Sequence, residues 1–198
     1  MIPGKRRVPG KPGWLALFAC VALSTPAMAG PILFDVFYEF SFTDPGVGAL
    51  GCDPADPAGD FCIPSSGTPT TFLDAPPWTF DAVAGTVLTV TDAFTSGDQF
   101  EVLDFGVPIG FTSLPVLGLD CGDDPVPCLA TAGISSAVFI LGAGGHSITI
   151  APLQAPDGGG SGYLRITGVV PEPGTWSSLA VGLLALGFLR HKSLRGVA

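Results

Sequence analysis

The stretch "FDVFYEFSF", residues 34–42, decides the fold class of this chain. Its large apolar side chains recur at every second position, and its polar ones fall between them. The apolar set is Phe34, Val36, Tyr38, Phe40 and Phe42, and the polar set is Asp35, Glu39 and Ser41. Because successive side chains of a β-strand point to opposite faces, a period of two predicts a strand with one apolar face.

Seven further segments have the same character, being short, rich in Val, Ile, Phe and Thr, and separated by Gly, Pro and Asp. They are PWTFDAV (77–83), TVLTVTDAF (86–94), DQFEVLDF (98–105), VPIGFTS (107–113), SAVFIL (136–141), HSITIAPL (146–153) and YLRITGVV (163–170). Turns are predicted at DFGV (104–107), where Gly106 supplies a positive φ, and at GAGGH (142–146) and DGGGSG (157–162). We therefore predict an all-β, antiparallel β-sandwich of jelly-roll type, with residues 44–69 and 114–134 as inserts that lack regular structure.

The cysteines of this region indicate disulfides. Cys52, Cys62, Cys121 and Cys128 are an even number in a chain that we expect to be exported, which favours two bridges. Three pairings are possible, and we favour Cys52–Cys62 and Cys121–Cys128, each within one insert. No Cys-x-x-Cys pair supports a zinc site instead.

The first 29 residues have the pattern of a secretory signal peptide. Lys5, Arg6, Arg7 and Lys11 precede an apolar run, residues 14–23, and small residues follow. Ala27 and Ala29 stand at the positions that signal peptidase reads, so we predict cleavage before Gly30 and export of the remainder.

The charge of residues 30–170 is strongly negative. Of the 17 acidic residues in the chain, all but Glu172 lie there, together with a single base, Arg165. Phosphate binding needs Lys and Arg, so a nucleic-acid partner is excluded.

No catalytic residue is predicted. His146 is the one histidine of residues 30–170, no Gly-x-Ser-x-Gly motif accompanies it, and we expect it to be solvated or hydrogen-bonded. Asp98 and Glu101 would be the carboxyl groups to test if the protein were a glycan hydrolase, the least favoured alternative.

No cofactor is predicted, and calcium is the one metal left open, since loop carboxylates are its usual ligands. A secreted carbohydrate-binding module, calcium-dependent or not, is therefore an alternative function, and Trp78, Tyr38 and Tyr163 are aromatic residues that could meet a sugar. The calcium candidates are Asp53, Asp56, Asp60, Asp120, Asp123 and Asp124.

The C-terminal end, residues 171–198, has three parts in a fixed order. Pro171, Glu172 and Pro173 form an extended joint, an uncharged run follows to residue 189, and bases come last. The run is about 25 Å long as a helix, near the length that crosses a bilayer. Arg190, Lys192 and Arg195 would stay on the cytoplasmic side, so we predict a single transmembrane helix.

This arrangement, from Val170 to Arg195, resembles the PEP-CTERM sorting signal of Gram-negative bacteria. The resemblance implies recognition by exosortase, a membrane enzyme that cuts near the Pro-Glu-Pro triplet, passage through the inner membrane, and delivery to the cell surface or extracellular matrix. It also implies an association with exopolysaccharide and biofilm. The basic cluster, RHKSLR, is more dilute than the compact arginine run of the family.

Residues 89–113, with LGAGGHSITI (141–150), resemble a β-domain that is common among PEP-CTERM proteins. That domain has no established activity, so the resemblance implies none here. Three regions are thus predicted: a signal peptide (1–29), a β-sandwich (30–170) and a sorting signal (171–198). We expect a non-enzymatic exported protein that is a substrate of signal peptidase and exosortase.

Overall fold

The computed structural model of the chain describes residues 32–57 and 59–168. Nearly all of its regular structure is β-strand, and the described part contains one short helix. The elements are β1 (Phe37–Phe42), β2 (Leu50–Gly51), β3 (Thr70–Phe72), β4 (Trp78–Ala82), β5 (Thr86–Asp92), β6 (Gln99–Asp104), β7 (Val107–Phe111), α1 (Pro125–Ala130), β8 (Ser136–Leu141), β9 (Gly144–Gln154) and β10 (Gly160–Thr167).

The strands form two sheets. One has the order β2-β1-β10-β5-β8, with β3 beside β1, and the other has the order β4-β9-β6-β7. All described pairs are antiparallel except β1 with β3. From β4 onward the chain changes sheet at each connection except the β6–β7 hairpin. The order β1-β10-β5-β8 in one sheet and β4-β9-β6-β7 in the other is the strand order of a jelly roll. The predicted antiparallel sandwich is confirmed, and each of the eight predicted strand segments contains a strand.

The core between the sheets follows the period of two in the sequence. Tyr38, Phe40 and Phe42 of β1 are buried there, with Phe40 in ring contact with Trp78 at 6.0 Å and with Phe100 at 5.4 Å between centroids. Burying an aromatic side chain of this size stabilises the fold by about 2–3 kcal/mol. The apolar face of the opening segment therefore holds the two sheets together.

The opposite face of β1 is buried as well, which the sequence did not predict. Phe37, Glu39 and Ser41 are at most 4% exposed, because both inserts fold over this side of the sheet. The second insert forms a small cluster on Phe37 and Tyr163 through Cys128 and its neighbours. The expectation that the inserts lack regular structure is wrong, since one contains β2 and the other contains α1.

Positive φ values mark the hairpin turn between β6 and β7. Phe105 and Gly106 both have positive φ values, 48° and 75°, so the β6–β7 hairpin has the primed type of two-residue turn. The glycine-rich segments after β8 and β9 also turn the chain. A turn lies within or beside each of the three predicted turn segments, although residues 144–146 belong to β9 and residues 160–162 belong to β10.

The signal-peptide residues Ala27, Ala29 and Gly30 lie outside the described residues. So do the triplet Pro171–Pro173 and the bases Arg190, Lys192 and Arg195. Within residues 32–57 and 59–168, no helix has the length and apolarity that a membrane crossing requires.

Candidate functional site

Both predicted disulfides are confirmed. Cys52 bonds to Cys62 with their Cα atoms 5.5 Å apart, and Cys121 bonds to Cys128 with their Cα atoms 4.9 Å apart. The first closes the loop that covers Glu39, and the second ties the loop before α1 to the helix. Each bridge therefore closes a loop within one insert.

Glu39 lies beneath the first disulfide and is the most unusual side chain of the described structure. It stands in the middle of β1, between Phe72 of β3 and Tyr163 of β10, and it is 0% exposed. Neither carboxyl oxygen has a hydrogen-bond partner among the described residues. One ligand atom each of Glu39, Cys52 and Cys62 lies within 4.8 Å of the other two.

This environment favours the protonated carboxyl. Burial is the main cause that raises the pKa of Glu39 to about 7, and the nearby charge of Asp123 adds to it. The Ser161 hydroxyl and the Ile63 N–H oppose the rise, although neither has the geometry of a full hydrogen bond. Near neutral pH, Glu39 is therefore a carboxyl group that can give up a proton.

A groove of about 370 Å³ opens above the same disulfide. Cys52 and Cys62 line it together with Phe61, which is 84% exposed. Its other walls include three acidic residues, Asp53, Asp56 and Asp60. The groove thus places solvent and negative charge beside the two cysteines.

Two other carboxyl groups flank the loop between β5 and β6: Asp92 ends β5, and Asp98 directly precedes β6. Asp92 is 0% exposed and accepts hydrogen bonds from the N–H groups of Ala93 (2.9 Å), Gly97 (3.3 Å) and Asp98 (3.2 Å). Burial, and then the charge of Asp98, raises the pKa of Asp92 to about 7. Burial also raises the pKa of Asp98 to about 6; hydrogen bonding to Asp92 lowers it and the charge of Asp157 adds to the rise. The pair therefore holds a proton near neutrality and closes the loop.

The hydrolase hypothesis named Asp98 and Glu101. In the structure, Asp98 lies next to Asp92 and donates its N–H to that carboxylate, while Glu101 is half-buried on β6. Asp92 is enclosed and Asp98 is 9% exposed, so the pair is not presented to a polymeric substrate.

His146 is hydrogen-bonded, as expected. Its Nδ1 lies 2.7 Å from Asp104 Oδ2, and its Nε2 lies 3.2 Å from the Gly142 carbonyl oxygen. The ring stacks on Phe80 at 5.5 Å, and Asp104 also accepts from the Ser147 N–H. Both ring nitrogens are engaged, so this pair ties β6 to β9, and both residues line a groove of about 500 Å³.

The six calcium candidates do not form a common site. Their carboxylates accept backbone hydrogen bonds of the loops or cap α1. Asp123 and Asp124 bridge the inserts, accepting from the Ser66 hydroxyl at 2.7 Å and from the Thr68 N–H at 3.1 Å. In the described part of the chain, Glu39 with Cys52 and Cys62 is the one close group of three potential ligands, and the disulfide uses both sulfurs.

The aromatic residues considered for sugar stacking are in the core. Trp78 and Tyr163 are 0% exposed, and Tyr38 is 2% exposed. Sequence reasoning missed the role of Glu39, although one signal was present: a single carboxyl between two aromatic residues, Tyr38 and Phe40, in a strand where nearly every neighbour is apolar.

Comparisons with protein-family models, with curated proteins and with solved structures find no match to this chain.

Proposed function

We propose that this chain is an exported, non-enzymatic protein of the cell surface or extracellular matrix of a Gram-negative bacterium. Signal peptidase removes residues 1–29, and exosortase acts at Pro171–Pro173 while the helix that follows holds the protein in the inner membrane. The sandwich then contributes to the exopolysaccharide or biofilm layer. The observation that carries the proposal is the order of triplet, apolar run and bases in residues 171–195.

Three features of the β-sandwich region, residues 30–170, support this assignment. Two disulfides suit an oxidising compartment outside the cytoplasm. The acidic composition suits a protein that stays soluble among anionic polymers. The buried Asp92 and the paired His146 take part in holding strands and loops, which suits a structural module.

The mature C-terminus tests the proposal. The full chain is expressed in an exosortase-competent host and in the same host lacking exosortase, and the protein is analysed by mass spectrometry and cell fractionation. We expect loss of residues that follow the triplet, and surface delivery, in the competent host alone. Replacing Pro171, Glu172 and Pro173 by alanine should leave the protein membrane-bound.

A control variant with Glu101→Gln, in the β-sandwich, keeps the whole sorting signal and should still be processed. An intact C-terminus at Ala198 in the competent host, or identical fractionation of the triple-alanine variant, would contradict the proposal.

A carbohydrate-binding module is the second candidate, and the burial of Trp78, Tyr38 and Tyr163 removes the residues that first suggested it. Glycan-array binding with and without EDTA separates the two. Selective glycan binding would favour the module, and its loss in EDTA would restore calcium as a ligand.

A further inference from the structure

We propose that the Cys52–Cys62 disulfide is a thiol–disulfide exchange site, in which a small neutral or cationic thiol attacks through the groove and Glu39 protonates the sulfur that leaves. This activity does not depend on the sorting proposal. It rests on three observations: a disulfide that lines an open groove, an enclosed carboxyl next to it, and the lack of any hydrogen bond that would hold the carboxyl proton elsewhere.

The burial of the two sulfurs sets the direction of attack. Cys62 is 5% exposed and Cys52 is 1% exposed, and both line the groove. Attack at Cys62 therefore releases a thiolate at Cys52, inside the protein. A thiolate in apolar surroundings is costly, so the step needs a proton donor close to the leaving sulfur.

Glu39 is placed to be that donor. Its carboxyl oxygen lies within 4.8 Å of both sulfurs. The other titratable groups that face Glu39 are Tyr163 and Asp123, and the Tyr163 hydroxyl already donates to the Asp123 carbonyl oxygen at 2.8 Å. The base Arg165 lies over the Phe37 ring instead, 4.4 Å from its centroid.

The reaction balances in two steps. An incoming thiolate forms a bond to Cys62 Sγ, the Cys52–Cys62 bond breaks, and the electron pair goes to Cys52 Sγ, which takes the Glu39 proton. A second thiolate attacks the mixed disulfide, releases the small-molecule disulfide, and leaves Cys62 as a thiolate that takes a proton from water. Two small thiols are oxidised and one protein disulfide is reduced.

The acidic walls of the groove select among thiols. Asp53, Asp56 and Asp60 repel an anionic thiol and attract a cationic one. Cysteamine should therefore react faster than 2-mercaptoethanesulfonate at equal thiolate concentration and low salt.

The second disulfide of the chain is a built-in control. Cys121 and Cys128 have the Gly122 carbonyl oxygen beside their sulfurs, at 3.8 and 3.6 Å. No carboxyl in the described range joins them in a close group like that around Glu39. A change that acts through Glu39 should leave the reduction rate of this bridge unaltered.

The test measures the reduction rate of each disulfide separately, by timed alkylation and mass spectrometry of the purified protein, in wild type, Glu39→Gln and Glu39→Asp. We expect Glu39→Gln to slow reduction of Cys52–Cys62 by cysteamine about tenfold or more. The rate per thiolate should fall above about pH 7 in wild type and stay level in Glu39→Gln. Glu39→Asp, which keeps a carboxyl, should restore part of the rate.

Equal rates at Cys52–Cys62 in wild type and Glu39→Gln would overturn the proposal. So would equal slowing of both disulfides, since that would indicate a general change of structure. If Glu39→Gln does not fold, the pH profile of the wild-type bridge decides, and a rate per thiolate that does not fall above neutral pH would overturn the proposal.

Discussion

Glu39 shows how a single residue can depart from its usual preference. A glutamate on the surface of a strand loses its proton near pH 4.5, whereas burial between one sheet and a disulfide loop raises the pKa of this carboxyl to about 7. The folded protein therefore keeps a proton over a range of pH in which the unfolded chain has lost it. Such a group makes folding less favourable as the pH rises.

Stability should consequently fall between pH 4.5 and 7.5 by about 3 kcal/mol from this residue. The contribution of the neutral carboxyl is fully present below the unfolded pKa and is lost as the pH rises through the folded pKa. Urea unfolding at several pH values should show a shallower fall in Glu39→Gln than in wild type. Glu101→Gln, which removes the same charge from a half-buried position of β6, is the matched control and should keep the wild-type slope. Parallel curves for wild type and Glu39→Gln would contradict this account.

At the scale of elements, the β6–β7 hairpin has one unfavourable residue in an otherwise regular turn. Its turn needs positive φ at both central positions, and glycine meets that need at Gly106. Phe105 adopts a φ of 48° although its side chain is 68% exposed and gains little from burial. Asparagine tolerates this backbone region better than phenylalanine does.

Phe105→Asn should therefore stabilise the protein by about 0.5–1 kcal/mol. The midpoint of urea unfolding should rise, with an unchanged dependence on urea concentration. Phe111→Asn is the control, because Phe111 is comparably exposed but lies within β7, where asparagine is disfavoured. A midpoint that falls for both variants would show that the Phe105 ring stabilises the hairpin more than its backbone strains it.

At the scale of the whole molecule, negative charge dominates. Sixteen of the 17 acids, that is all but Glu172, and the single base Arg165 belong to residues 30–170. In the described part of the chain, the one close contact between a basic and an acidic side chain is that of His146 with Asp104. Mutual repulsion among the carboxylates therefore opposes the compact state.

Added salt should stabilise the protein at neutral pH. Going from 10 to 150 mM NaCl shortens the screening length from about 30 to about 8 Å. The thermal midpoint at pH 7.5 should then rise by about 3 °C, corresponding to roughly 1 kcal/mol. At pH 4, where many carboxyl groups are protonated, calorimetry should show a smaller rise. A thermal midpoint that does not change with NaCl concentration at pH 7.5 would mean that this repulsion is negligible.

Local patterns in the sequence were sufficient for much of this fold. The period of two at residues 34–42 and in seven other segments predicted the eight strands that make the jelly roll, because alternation is a property of neighbouring residues. The short spacings of Cys52 with Cys62 and of Cys121 with Cys128 likewise favoured the observed pairing. Glycines placed the turns because few other residues adopt a positive φ without strain.

Only the tertiary structure decided which polar residues are enclosed. Glu39 is buried because two inserts, residues 44–69 and 114–134, which are distant from each other in sequence, meet over its face of the sheet. The pairing of His146 with Asp104 spans 42 positions and depends on the register of β6 against β9. Long-range packing sets the solvent exposure and charge state of a side chain, and a pattern that repeats every two residues holds no information about it.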